Sequence, residues 1–440
     1  MPETPSSISV STKQQRIAGL ARMVRAKPIT TLSHHLNIDW LKEAFRRTRK
    51  DGASGIDGQT ADTYATQLEA NLKRLLSRVK SGTYRAPPVR RVHIPKGPSS
   101  TRPIGIPTFE DKVLQRAIAM LLEPIYESEF YDSSHGFRPK RSPHTALQSF
   151  WTQMMGLRGG WVLEVDVRKF FDTLDHQRLR EIVAQRVGDG VVLRLIGKWL
   201  QAGVMENGQL SWPDAGTPQG GVISPLLANV FLHAVLDEWF EKTVKPRLRG
   251  RAFLVRFADD FVIGLASEED ARRVFGVLPL RFEKFGLSVH PEKTRLLPFW
   301  PPRRGPDSSG SFSFLGFTHF WSRSIKSGSW VIKRKTAKDR FSRALQRIRL
   351  WCKDNRHLKV RQQHALLSAK LRGHFGYYGI TGNSVALTRF RHEVAVIWRK
   401  WLDRRSQRQS MPWRRFTEMM KRYPFPKPRP IHSVLLAANP

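Results

Sequence analysis

Apolar residues along the chain recur at two different periods. Leu72, Leu75, Leu76 and Val79 keep the spacing of a helix with one buried face, and Ser81-Gly82 punctuates its end. The next segment, Val89-Arg90-Arg91-Val92-His93-Ile94, reads as a strand. Helical patterns also cover a stretch near Asp39 to Arg49, Gln115 to Leu122 and Pro225 to Phe240, while Trp161 to Val167 and Phe253 to Ile263 read as β. The dense Pro, Gly and Ser of residues 299–311 mark a surface loop, and a short strand pair is expected around Phe312 to Trp330. Beyond residue 325 the pattern turns helical and basic. Phe341, Leu345, Ile348 and Cys352 fall on one face there, with Arg340, Arg343 and Arg347 on another. No repeat of fixed period and no low-complexity block interrupts this α+β layout.

Charge changes the picture. The 440 residues carry 75 Lys and Arg against 37 Asp and Glu, a formal +38, which points to a polyanionic partner and most simply to nucleic acid. Residues 321–440 hold 29 Lys and Arg against 5 Asp and Glu, so most of the excess lies in the basic helical part. Binding through such a footprint weakens as salt rises and carries no sequence specificity of its own. An anionic membrane surface is the competing partner, but the apolar residues are dispersed and even Gly221 to Leu236 is broken by Ser224, Pro225, Asn229 and His233. The single cysteine, Cys352, excludes an intramolecular disulfide and a Cys-cluster zinc site, and suits a reducing compartment with Cys352 as packing. The first 38 residues carry one acid, Glu3, beside Lys13, Arg16, Arg22, Arg25 and Lys27. An organelle transit peptide shares that composition. The preferred reading is a basic, RNA-facing extension of a cytoplasmic protein, because the segment runs straight into a helical stretch.

Acids placed among apolar residues carry the chemistry. Val162-Leu163-Glu164-Val165-Asp166-Val167 is a strand with Asp166 at its end, and Phe170-Phe171 follow. Phe253 to Ile263 is two apolar runs separated by Asp259-Asp260, the pattern of a hairpin with both acids at its turn. Neighbouring side chains on a straight strand point apart, so a turn is needed to bring both to one site. Like charges in apolar surroundings repel and call for a counter-cation, for which Mg2+ is the natural candidate. Two such ions held ~3.5–4 Å apart can activate an attacking hydroxyl and stabilise a leaving phosphate. A plain Asp-Asp surface turn is the bland alternative.

Several short blocks decide between these. Gly55-Ile56-Asp57-Gly58 comes first, then Ile94-Pro95-Lys96 with Arg102-Pro103-Ile104-Gly105-Ile106-Pro107, His135-Gly136-Phe137-Arg138-Pro139, and Asp166 with Phe170-Phe171-Asp172. Gly216-Thr217-Pro218-Gln219-Gly220-Gly221, Phe257-Ala258-Asp259-Asp260, Gly286-Leu287-Ser288 leading to Lys293, and Phe314-Leu315-Gly316-Phe317 follow in order. With these the chain resembles, over nearly its whole length, the reverse transcriptases encoded by bacterial group II introns, also called intron maturases. The resemblance implies a right-hand polymerase fold of fingers and palm over residues 51–324. Residues 1–50 form the basic extension and residues 325–440 a helical thumb or maturase domain. It implies two-metal nucleotidyl transfer by Asp166, Asp259 and Asp260 with two Mg2+ ions, dNTPs as substrates, an RNA template, a DNA primer, and group II intron RNA as a further partner. The thumb is matched by Leu371-Arg372-Gly373-His374, Tyr377-Tyr378-Gly379-Ile380 and Gly382-Asn383. No membrane is implied, and no oligomeric state follows.

Individual positions carry paired readings. Lys96 and Arg102 clamp the incoming triphosphate, or are surface charge. Gln219 touches the templating pair or the nucleotide from a tight Gly-rich turn that also begins a helix. Phe171 lies where the family places an aromatic beneath the nucleotide sugar, which predicts deoxynucleotide selectivity; the alternative is that Phe170 or Phe171 is simply core. Lys293 protonates the leaving pyrophosphate, or is surface charge. Arg343, Arg347, Arg399 and Lys400 are expected to contact phosphates, and the thumb aromatics Trp351, His374, Tyr377, Tyr378, Trp398 and Trp401 to be mostly core. The family more often has Tyr at Phe257, a change that leaves metal binding intact. No paired-cysteine HNH nuclease segment follows Pro426, so the chain is not expected to cut its own DNA target. The competing functions are an RNA-binding splicing cofactor, a domesticated or defence-associated reverse transcriptase, and an RNA-templated RNA polymerase.

Overall fold

The caps of the first helices explain where they begin. In the computed structural model, which describes residues 9–25, 27–95, 101–206, 208–212, 220–302, 310–405 and 410–432, Ser9 caps α1 (Val10–Met23). Asn37 caps α2 (Ile38–Arg47), accepting from Trp40 N at 2.9 Å, and Asp39 and Arg46-Arg47 sit at the ends its dipole favours. α3 (Ala61–Ala65) and α4 (Leu68–Lys80) follow, with Leu72, Leu75 and Val79 buried as their spacing predicts. The expected strand becomes β1 (Val89–Pro95), which pairs antiparallel with β2 (Thr101–Ile106). α5 (Phe109–Glu127) carries a wide apolar face, with Val113, Leu114, Ala117, Ile118 and Leu121 buried, and lies in the main core. Ile17 and Ala21 of α1 and Trp40 and Leu41 of α2 pack in the same core, and Trp40 Nε1 donates to Ala117 O at 2.9 Å.

α6 (Pro143–Leu157) opens with a capping box between Ser142 and Thr145. β3 (Gly160–Val165) leads to α7 (Phe170–Thr173), α8 (His176–Ala184) and α9 (Gly190–Leu200). β4 (Val204–Glu206) and β5 (Gln209–Ser211) complete a sheet of order β2-β1-β4-β5. α10 (Ser224–Leu232) departs from its sequence expectation. Instead of running as α-helix to Phe240, it widens into π-helical turns over His233–Asp237 and Phe240–Val244.

The second sheet contains β6 (Ala252–Phe257) and β7 (Asp260–Leu265), then β8 (Arg295–Phe299) after α11 (Glu268–Glu283); its order β6-β7-β3-β8 is antiparallel throughout. Alternation along these strands feeds two cores. Leu163, Val165, Leu254, Phe261, Ile263 and Leu265 join the main core, whereas Val162, Phe253, Val255, Val262 and Phe299 join a second one with Phe150 and Phe317. Burial on both faces is why β6 and β7 read as largely apolar runs, interrupted within β6 by Arg256.

The strand pair expected around Phe312 to Trp330 is a three-stranded sheet: β9 (Phe312–Phe314), β10 (Phe317–Arg323) and β11 (Trp330–Thr336). The basic remainder is helical, α12 (Lys338–Asp354), α13 (Val360–Tyr378), α14 (Ser384–Asp403) and α15 (Trp413–Arg422), around a third core containing Ile348, Cys352 and Trp398. Among the described residues no helix is long and apolar enough to cross a membrane.

Candidate active site

β3 ends at Val165, so Asp166 is the first residue beyond it. Its backbone stays tied, because His290 N donates to Asp166 O at 2.7 Å. In the β3–β7 ladder Val165 faces Phe261, and one further step of that register sets Asp166 opposite Asp260. The β3–β8 ladder ends where Glu164 faces Arg295, the pairing then shifts so that Val167 bridges Val289, and in this turn Lys293 brings its Nζ to 3.3 Å from Asp166 Oδ2.

Phe257 pairs with Asp260, so the turn residues of the β6–β7 hairpin are Ala258 and Asp259. Asp260 is therefore the first residue of β7, one place later than a turn centred on both acids. Ala258 takes the left-handed conformation, φ 57°, that short hairpin turns demand and that a residue with a β-carbon resists. The Asp260 carboxyl opens to solvent on one side, while the protein around it pushes its pKa up to about 6. Desolvation is the largest cause, followed by the charges of Asp259 and Asp166; Arg340 and Arg102 act the other way. The three acids thus share one electrostatic site that also senses a strand of the first sheet and the start of α12.

Among the described residues no three His, Cys, Asp or Glu side chains converge closely enough to cage a cation unaided. Mutual repulsion of the carboxylates favours such spacing. The donors are nonetheless all hard oxygens, and the charges of Asp259 and Asp166, which add to burial in raising the pKa of Asp260, are ones a divalent cation would offset. Asp166, Asp259 and Asp260 fit that role.

Around this centre the structure brings together only some of the expected residues. Arg102 is exposed on β2 and its charge reaches Asp260. Lys96 and Gln219 lie outside the described residues. Phe170 is buried in the main core, and Phe171, half-buried, sets its ring edge-on at 5.2 Å from Phe170. The residues expected to contact phosphates sit farther along the chain on α12 and α14. Arg347 and Lys400 are exposed, and Arg343 pairs with Asp339. Arg399 is occupied inside the protein, donating to Met411 O at 2.8 Å and lying 4.3 Å over the Trp413 ring. Trp398 is fully buried, and His374 stacks on Phe390 at 3.7 Å.

Residues 94–319 match the family described as reverse transcriptase (RNA-dependent DNA polymerase). Protein YkfC of Escherichia coli is 34% identical over 318 residues, covering 63% of this chain and 79% of that protein. This chain belongs to the reverse transcriptase family. The group II intron-encoded protein LtrA of Lactococcus lactis is 46% identical over 185 residues, 41% of this chain and 30% of LtrA. The putative COX1/OXI3 intron 1 protein of Saccharomyces cerevisiae is 28% identical over 313 residues, 60% of this chain and 37% of that protein. The matched part thus spans less than two fifths of either intron protein. These relatives agree with the group II intron branch expected from the motifs.

In this reverse transcriptase two polar networks beneath the site escaped sequence reasoning. Asp111 on α5 is buried, and its carboxylate receives Trp199 Nε1 at 2.8 Å, Gln115 Nε2 at 2.9 Å and the Tyr84 hydroxyl. Burial pushes its pKa up to about 6. Gln115 Oε1 in turn accepts from Val222 N at 2.7 Å, fixing the chain just before α10. The second network centres on Arg256, between the apolar residues of β6. An acid in the first turn of a helix and a single arginine in a strand have no sequence signature of such a network. Their partners come from elements far apart in the chain.

Proposed function

We propose that the protein is an RNA-directed DNA polymerase working through Asp166, Asp259 and Asp260, with residues 51–324 as fingers and palm and residues 325–440 as a helical thumb. The observation that carries this reading is the placement of three carboxylates at one sheet end, where they raise the pKa of Asp260. Two Mg2+ ions bound there would activate the primer hydroxyl and offset charge on the leaving pyrophosphate. The chain's own residues set the geometry around them. Arg102 on β2 holds the triphosphate together with Lys96, and Phe171 excludes a 2′-hydroxyl. Lys293, whose Nζ is 3.3 Å from Asp166 Oδ2, gives a proton to the departing pyrophosphate. Arg347 and Lys400 on exposed helical faces follow phosphates of the template, primer or intron RNA.

The test is extension of a DNA primer on an RNA template with dNTPs and Mg2+, comparing the native protein with Asp259→Ala and Asp260→Ala at matched RNA binding. Extension by the native protein alone supports the reading. Tight RNA binding with no extension on any template, in Mg2+ or Mn2+, overturns it. The second reading would then stand: a splicing cofactor that stabilises folded intron RNA through the basic region of residues 321–440, with its 29 Lys and Arg against 5 acids.

A further inference from the structure

Arg256 shows no exposed surface, yet every arm of its guanidinium is used. Nε and Nη2 donate to Asp237 Oδ1 and Oδ2 at 2.8 and 2.6 Å. Nη1 divides between Asn229 Oδ1 at 2.9 Å and Ala258 O at 3.1 Å. Asn229 Nδ2 passes the connection on to Gly136 O at 2.6 Å. Gly136 lies so close to the turn that a β-carbon there would collide with Ala258 N. Two backbone bonds complete the enclosure, Arg256 N to Ser133 O and His135 N to Arg256 O, both at 2.8 Å. Two histidines border the network: His233 Nδ1 is 3.7 Å from Asp237 Oδ2, and the charge of Arg256 reaches His135 and helps to lower its pKa.

From this arrangement we infer that Arg256 is a positioning residue for the acidic turn, holding Ala258 left-handed so that Asp259 and Asp260 present their carboxylates together. The inference rests on the polymerase reading only for its consequence, since the clamp itself is geometric. A strained conformation at a residue with a β-carbon persists only where the surroundings over-determine it. Here an Arg256 arm donates to Ala258 O while the Gly136 backbone packs against Ala258 N. Strand parity places Arg256 with Leu254 on the main-core face, opposite the face that Asp260 shares with Val262, so it acts through the turn without meeting substrate. Three acceptors on separate elements need a fork. A lysine ammonium can satisfy Asp237 but cannot also reach Asn229 and Ala258 in the same plane. The π-helical turn after α10 matters in the same way, because it delivers Asp237 beneath the strand.

The test uses the full chain with Arg256→Lys, Asn229→Ala and Gly136→Ala. Thermal melting, amide hydrogen exchange across residues 253–263, Mn2+ affinity by electron paramagnetic resonance, and primer extension at matched RNA binding are measured on each. The expected result is faster exchange at Ala258 to Asp260 and Mn2+ binding weakened by about 10- to 100-fold, with extension partly recovered at raised Mn2+. Unchanged Mn2+ affinity and exchange, with activity falling only as the folded fraction falls, overturns the inference. If Arg256→Lys does not fold, Asn229→Ala and Gly136→Ala decide by the same readouts, since neither strands a buried charge. Native protein that binds Mn2+ through Asp259 and Asp260 but extends no primer defeats the polymerase reading and leaves the positioning role standing. Mn2+ binding that survives loss of both acids overturns the positioning role.

Discussion

Lys293 Nζ lies 3.3 Å from Asp166 Oδ2, in an ion pair whose side chains keep about half their surface in solvent, 58% and 41%. An exposed pair of this kind contributes about 0–1 kcal/mol, so it does not lock the lysine in place. Lys293→Ala should lower the single-turnover rate of nucleotide incorporation by about 10²-fold, the usual worth of a positioned proton donor, with RNA affinity unchanged. A rapid-quench measurement showing the native rate would reduce Lys293 to surface charge.

Phe170 and Phe171 are adjacent but differently placed, one in the core and one half-open. Phe171→Ala should raise ribonucleotide incorporation relative to deoxyribonucleotide. Phe170→Ala should leave that ratio alone and cost about 3–5 kcal/mol of stability. Competition assays with paired rNTP and dNTP, alongside melting curves, separate the two roles; equal sugar selectivity in both variants would remove the gate from Phe171.

Among the basic helices, exposure and engagement predict different outcomes for residues that look alike in the sequence. Arg347→Gln and Lys400→Gln should each weaken RNA binding and lower the slope of log affinity against log salt by about 1. Arg399→Gln should instead lower the melting temperature, because its guanidinium is bound to Met411 O and covers Trp413. Filter binding across a salt series checks the first two, and a melting curve checks the third.

His319 and Arg334 face each other across β10 and β11, both buried, and no carboxylate pairs with Arg334 among the described residues. Arg334 Nε and Nη1 have no hydrogen-bond partner. Arg334→Met should therefore be neutral or stabilising by about 1–4 kcal/mol, read as a higher melting temperature; a large loss would reveal a partner for the charge.

Burial, with Arg334 adding, depresses the His319 pKa to about 3, whereas an unfolded histidine titrates near 6.5. As pH falls below 6.5 the unfolded chain takes up this proton and the native chain does not, so stability is lost progressively toward pH 3. His319→Phe should flatten that acid limb in melts run from pH 7 to 4. An unchanged limb would assign the acid sensitivity to other groups.

The acidic centre was legible because apolar runs of the right length bracket it, and two-sided burial of β6 and β7 makes those runs plain. The turn was misplaced by one residue because Ala258 is left-handed, a conformation usually announced by Gly or Asn. The π-helical turns after α10 left no trace in a pattern that satisfies either helix. Arg343 and Arg399 carry the same charge as Arg347, and only packing shows which are already committed to Asp339 or Met411.

Because neighbouring residues of β3, β6 and β7 belong to different cores, the sheet is a wall shared by two compartments. Each compartment can drift in composition without consulting the other, as long as the alternation holds. A single inserted residue in β7 would exchange the occupants of both at once and carry Asp260 to the wrong side. Length in these strands is therefore a harder constraint than identity, and natural variation should accumulate there by replacement, with gain and loss of residues confined to the loops.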